Sequence, residues 1–167
     1  MTPLWWAAAV LVAPAAPAEE APSLSPSLSP TLAPWHGNWA GEGQAFGKPA
    51  TATLDIAPGA AGATRLTYRL HVAGSAPMTY SAEANYAFDA KRRLRGQWTD
   101  SSGRTRAVIG GVNAAKWWTH WGSADVEIGR STYGLEADGT LVISDSVLQE
   151  DGSWRVFAML RYRRTKP

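Results

Sequence analysis

Turn signals recur at short, even intervals between Trp35 and Arg164, and this punctuation limits the possible folds more than any other feature of the chain. They fall at Gly47-Lys48-Pro49, from Pro58-Gly59 to Gly62, and at Gly74-Ser75-Ala76-Pro77. They continue at Asp89 to Arg92, Asp100-Ser101-Ser102-Gly103, Asn113 to Lys116 and Gly122 to Asp125. The last two, Asp138-Gly139 and Asp151-Gly152, are Asp-Gly pairs between alternating segments, the strongest short-range hairpin signal. A turn every roughly 8–12 residues predicts about ten short strands and an all-β sandwich or barrel. No window sustains a helical period. Hairpin turns throughout favour an up-and-down meander, and closing it removes the exposed edges that a meander would leave. The expected fold is a closed antiparallel barrel.

Composition shows how such a wall is filled. Leu, Ile, Val and Phe together fall below the roughly 20 % usual for a folded chain. Nine Trp and five Tyr supply the missing apolar area, and the net charge of +2 is too small for a disordered chain. There is no Cys, which excludes disulfides, thiolate zinc sites, iron–sulfur clusters, Cys nucleophiles and a lipidated N-terminal Cys.

Three segments are expected. Leu4 to Val12 is a short apolar run followed by Ala16-Pro17-Ala18, the order of a secretory signal peptide over 1–18. It is too short, and too soon broken by Pro, to span a bilayer. Residues 19–34 are rich in Pro, Ser, Ala and Leu, with the near-repeat Ser23-Leu24-Ser25-Pro26-Ser27-Leu28-Ser29-Pro30, and suit an extended or disordered linker. The barrel domain then occupies 35–164, and the protein is expected to be periplasmic or secreted.

Strand alternation assigns side chains to faces. In the first strand Trp35, Gly37, Trp39, Gly41 and Gly43 turn inward against His36, Asn38, Glu42 and Gln44. All five tyrosines (Tyr68, Tyr80, Tyr86, Tyr133 and Tyr162) lie on the more apolar parity of their strands. Val156, Ala158, Leu160 and Tyr162 share the inward parity of the last strand. A dry core would use Leu and Phe, because each buried Tyr hydroxyl needs a partner. Trp and Tyr on the inner face therefore suggest a cavity that meets a partly polar ligand, or a filled core whose hydroxyls reach the barrel ends. Asp145 shares parity with Leu141, Ile143 and Val147, and is either a structural hydrogen-bonding group, a ligand anchor or a general acid/base.

The remaining chemistry is sparse. His36, His71 and His120 form no metal-ligand spacing, and there is no nucleophile elbow, phosphate loop or dinucleotide fingerprint. Glu42, Asp100, Asp125 and Asp145 come from different strands and suit a carboxylate pair only if the fold brings them together. The basic clusters Lys91-Arg92-Arg93-Leu94-Arg95 and Arg161 to Lys166 belong to a chain of low net charge, so no nucleic-acid partner is expected. Trp117, Trp118 and Trp121 suit either core packing or stacking on sugars.

Gly37-Asn38-Trp39-Ala40-Gly41-Glu42-Gly43 resembles the Gly-x-Trp signature of calycins, the lipocalin and fatty-acid-binding β-barrels, and the likeness extends to uncharacterised bacterial exported members. The resemblance implies that Trp39 packs beneath a basic residue of the last strand, Arg161 or Arg163, and closes the barrel. Ten strands with short turns look more like the fatty-acid-binding branch, although its helical lid and Arg-x-Tyr anchor are absent. The same segment resembles the start of nitrobindin-like haem barrels, which carry a late proximal His; here no His follows His120, which leaves His120 as the haem-ligand alternative. No other cofactor is expected.

The sequence thus points to a monomeric, exported barrel that binds a small apolar or amphipathic molecule without covalent chemistry. Trp39, Tyr68, Tyr80, Tyr86, Trp98, Tyr133 and Tyr162 would line its cavity, with Asp145 as polar anchor. One alternative is an isomerase or hydrolase using Asp145 or Asp100 with Tyr hydroxyls. The other is an interaction module with a filled core.

Overall fold

The computed structural model describes residues 31–123 and 127–166. The expected signal peptide, most of the expected linker and Asp125 lie outside the described residues. A 3-10 turn, Ala33–Trp35, leads into ten strands. They are β1 (Gly37–Ala45), β2 (Lys48–Pro58), β3 (Thr64–Val72), β4 (Met78–Phe88) and β5 (Leu94–Asp100), then β6 (Thr105–Val112), β7 (Lys116–Ser123), β8 (Glu127–Leu135), β9 (Leu141–Leu148) and β10 (Trp154–Arg164). Each strand pairs antiparallel with its chain neighbours, and β1 pairs with β10 to close the barrel. The expected fold class is the observed one.

Aromatic side chains fit into this wall because glycine stands opposite them. Tyr162 faces Gly41 across the β1–β10 seam, Tyr86 faces Gly96, and Trp121 faces Gly129. A Cβ at any of these glycines would run into the facing ring. Each ring therefore lies across a strand that has no side chain at that point, an aromatic–glycine pairing that fixes register as well as filling space.

The hairpins sort the barrel into two ends. The β2–β3, β4–β5, β6–β7 and β8–β9 turns gather at the end where the chain enters, and this end is closed. Trp35 is 1 % exposed and meets the Trp117 ring edge-on, with centroids 6.3 Å apart. Beneath it Trp117 stacks on Tyr133 at 3.9 Å, and Tyr86 meets Trp117 edge-on at 5.1 Å. Ile56, Leu66, Leu94 and Leu141 are buried around these rings. Full burial of one such ring contributes on the order of 3 kcal/mol, so the closed end holds much of the fold's hydrophobic stabilisation.

Two expectations are corrected in β10. The cation over Trp39 is Arg164, not Arg161 or Arg163: its guanidinium carbon lies 4.3 Å from the ring centroid, and Arg164 is the residue directly opposite Trp39. Tyr162 points inward, so Arg164 shares its face, whereas Arg161 and Arg163 point outward. Those two pair with Glu136 at 2.6 Å and Asp138 at 3.1 Å on the barrel surface. The register of β10 against β9 also shifts between Val156 and Ala158. Phe157 is the extra residue of a bulge, which reverses the alternation beyond it. Val156, expected inward, is 50 % exposed, while Arg155 and Phe157 turn to the interior.

Candidate binding cavity

Above the aromatic floor the barrel is hollow. A cavity of about 360 Å³ runs toward the end formed by the β1–β2, β3–β4, β5–β6, β7–β8 and β9–β10 hairpins. The volume lies within the range of small-molecule sites, about 300–1,000 Å³. Phe46, Met78, Arg106, Glu127, Arg155 and Phe157 belong to strand ends or hairpins on that side and form the mouth. Phe46 stacks on Phe157 at 5.2 Å and is 54 % exposed, so one lip of the mouth is apolar and open to solvent.

Of the residues expected to contact a ligand, Tyr68, Tyr80, Tyr86, Trp98, Tyr133 and Asp145 stand in the cavity wall. Trp39 and Tyr162 do not. Trp39 belongs to the closed end, where its indole nitrogen donates to the Trp35 carbonyl at 3.0 Å. Tyr162 is fully buried behind the wall, and its hydroxyl makes no well-formed hydrogen bond. The wall also contains residues that the sequence reading did not single out as lining: Arg106, Ser131, Arg155 and Phe157, with Trp121. Parity was available for the first two, whereas Arg155 and Phe157 are placed by the β10 bulge and Trp121 by the register of β7. Arg106 is two residues before the buried Val108, and Ser131 two before Tyr133.

Asp145 is the chemical centre of the wall. Its cross-strand partner is Ser131, whose hydroxyl accepts from the Trp121 indole at 3.2 Å. Burial raises the Asp145 carboxyl to about 6, against the opposing influence of the Ser131 hydroxyl. Its charge reaches all five tyrosines. Burial is the largest influence on each of their hydroxyls, and the Asp145 carboxylate adds to it, so every one titrates above the ordinary Tyr range. At neutral pH the interior therefore presents one carboxylate among protonated phenols. Tyr80 uses its hydroxyl as an acceptor, taking a 2.8 Å hydrogen bond from the Trp98 indole.

The other carboxylates are occupied elsewhere. Asp100 accepts from the Ser102 and Arg104 backbone amides in the β5–β6 turn and pairs with Arg106 at 2.8 Å. Burial opposes its charge, yet the bonds from Ser102, Arg106 and Arg104 outweigh it and hold the carboxyl at about 2. A group so held is a turn anchor rather than an acid/base. Glu42 faces outward, exposed, and takes no part in the wall.

His120 lies on the outer side of β7, with its ring 6.0 Å from that of Trp154, and does not contribute to the cavity wall. The three tryptophans of β7 divide: Trp117 is core, Trp121 is cavity wall, and Trp118 is 37 % exposed on the outer face. Among the described residues no group of three or more His, Asp or Glu is arranged to hold a metal ion. No described helix is long and apolar enough to cross a membrane. No protein-family model matches the chain, and no curated protein matches it either.

Proposed function

We propose that this protein is an exported container: a calycin-like barrel that binds a small, largely apolar molecule, without covalent chemistry, in the cavity above its aromatic floor. The observation that carries the reading is the cavity itself. Close-packed interiors leave few voids larger than a water molecule, whereas this barrel keeps about 360 Å³ open behind an apolar lip. A filled interaction module would have no use for that space. The Ala-Pro-Ala segment near the start of the chain supports export, and a ten-strand closed meander that begins with Gly-x-Trp supports the calycin likeness.

A second reading is favoured by one observation. Asp145, raised to about 6 within a cavity that also holds Tyr hydroxyls, has the character of a general base for an isomerase or hydrolase. Asp100 is not available for that role.

Titration with the neutral fluorescent dye N-phenyl-1-naphthylamine tests the container reading. The expected result is saturable 1:1 binding with quenching of Trp98 and Trp121 emission, weakened at least tenfold by Ala158→Phe, which places a ring in the cavity. Binding that Ala158→Phe leaves unchanged would place the dye elsewhere and remove the support for a container.

A further inference from the structure

We infer that the molecule held in the cavity is an organic amine bound as its ammonium ion, with its charge seated against the Asp145 carboxylate among the rings of Tyr68, Tyr86, Tyr133 and Trp98. The inference rests on the container reading and gives its ligand a charge.

Among the described acids that are not exposed, Asp145 alone has no cation within ion-pair distance. Asp55, Asp89, Asp100, Glu136 and Asp138 each lie within ion-pair distance of an arginine. No described Lys, Arg or His lies within that distance of Asp145, whose polar neighbour is the neutral Ser131 hydroxyl. Asp145 is half-buried in the wall, and a carboxylate partly withdrawn from bulk water without a counter-ion is costly, so folds normally avoid it or pair it. The cost here falls on a residue that opens onto a cavity, so the place of the missing cation is accessible from outside.

The rest of the wall suits the same charge. Aromatic rings carry negative faces that attract cations, most strongly when water is excluded. Five of the wall residues offer such rings, Tyr68, Tyr80, Tyr86, Trp98 and Tyr133, whereas Trp121 already lies under the Arg106 guanidinium, 5.8 Å from the ring centroid. The tyrosine hydroxyls stay protonated and add no competing charge. The arginines of the wall stand at the mouth, where Arg106 is neutralised by Asp100 at 2.8 Å and Arg155 is exposed. A carboxylate ligand would find a like charge at depth and no cation beside it. A neutral ligand would leave Asp145 uncompensated. An ammonium with an apolar body satisfies both the carboxylate and the rings.

A charge series of near-isosteric probes tests this on the full chain at pH 7.5: 2-phenylethylammonium, 2-phenylethanol and 3-phenylpropionate, measured by calorimetry. The ammonium is expected to bind at least tenfold more tightly than the alcohol, and the carboxylate more weakly than either. Asp145→Asn should bring the ammonium down to the level of the alcohol and leave the alcohol unchanged. The wild-type series is decisive by itself should the variant not fold. Ammonium binding no tighter than that of the alcohol, or a preference for the carboxylate, would overturn the amine assignment. If N-phenyl-1-naphthylamine still bound, the container reading would survive that result. Failure of all three probes together with the dye would overturn both.

Discussion

Arg164 lies over the Trp39 ring, its guanidinium carbon 4.3 Å from the centroid, while its two terminal nitrogens donate to the Pro34 and His36 carbonyls. Trp39 in turn donates to the Trp35 carbonyl. The last residue of β10 thus clamps the entering chain across the closed end. One cation–π contact and the charge-assisted hydrogen bonds should make Arg164→Ala cost about 1–2 kcal/mol in urea unfolding. Arg161→Ala and Arg163→Ala remove only exposed surface pairs and should leave the midpoint unchanged. Equal effects at all three positions would mean that the clamp contributes nothing.

The aromatic floor gives a larger contrast within a single strand. Trp117 is fully buried against Trp35, Tyr86 and Tyr133, so Trp117→Ala should cost about 3–5 kcal/mol. Trp118 is its chain neighbour but faces outward, and Trp118→Ala should cost less than about 1 kcal/mol. Denaturant unfolding of the two variants side by side checks the assigned faces of β7.

Gly129 has no room for a methyl group beneath the Trp121 ring. Gly129→Ala should push that ring off Ser131, cost about 1–3 kcal/mol, and shift the tryptophan emission. An unchanged spectrum and midpoint would show that Trp121 does not need the glycine.

Asp145 should give the free protein an unusual pH profile. Its carboxyl titrates near 6 in the fold against 3.8 as its ordinary value, so between those values the native state holds a proton that the unfolded chain has released. Stability should therefore fall as pH rises from about 4 to about 6, by on the order of 3 kcal/mol. Asp89, Asp100 and Asp138, lowered to about 2, act oppositely: their contribution is present above about 4 and is lost as pH falls toward 2. Asp145→Asn should abolish the decline between 4 and 6 and make the free protein more stable than wild type at pH 7. A less stable variant would mark Asp145 as a structural group.

The fold was legible because its signals are local. Asp138-Gly139 and Asp151-Gly152 announce hairpins without reference to the rest of the chain, and period-two alternation places Tyr68, Tyr86 and Tyr133 on the inner face. Features set by pairing between strands were harder to read. Nothing in Arg155-Val156-Phe157 announces a bulge, so alternation counted through it places Val156 on the wrong face. Trp occupies both parities of Trp117 to Trp121, so only the register opposite Gly129 and Gly111 shows which rings turn inward. Arg164 was readable in principle, because it shares parity with Tyr162, whereas the two arginines matched to the family signature point outward. The isolation of Asp145 could not be read at all, since it depends on where every arginine ends up in space.

The most direct measurement of the central claim is native mass spectrometry of the protein purified from its own host. The expected spectrum contains a 1:1 complex with a small molecule that is released on denaturation and competes with N-phenyl-1-naphthylamine for the cavity. A spectrum of bare polypeptide, from protein that also fails to take up the dye, would contradict the account of the barrel as a container.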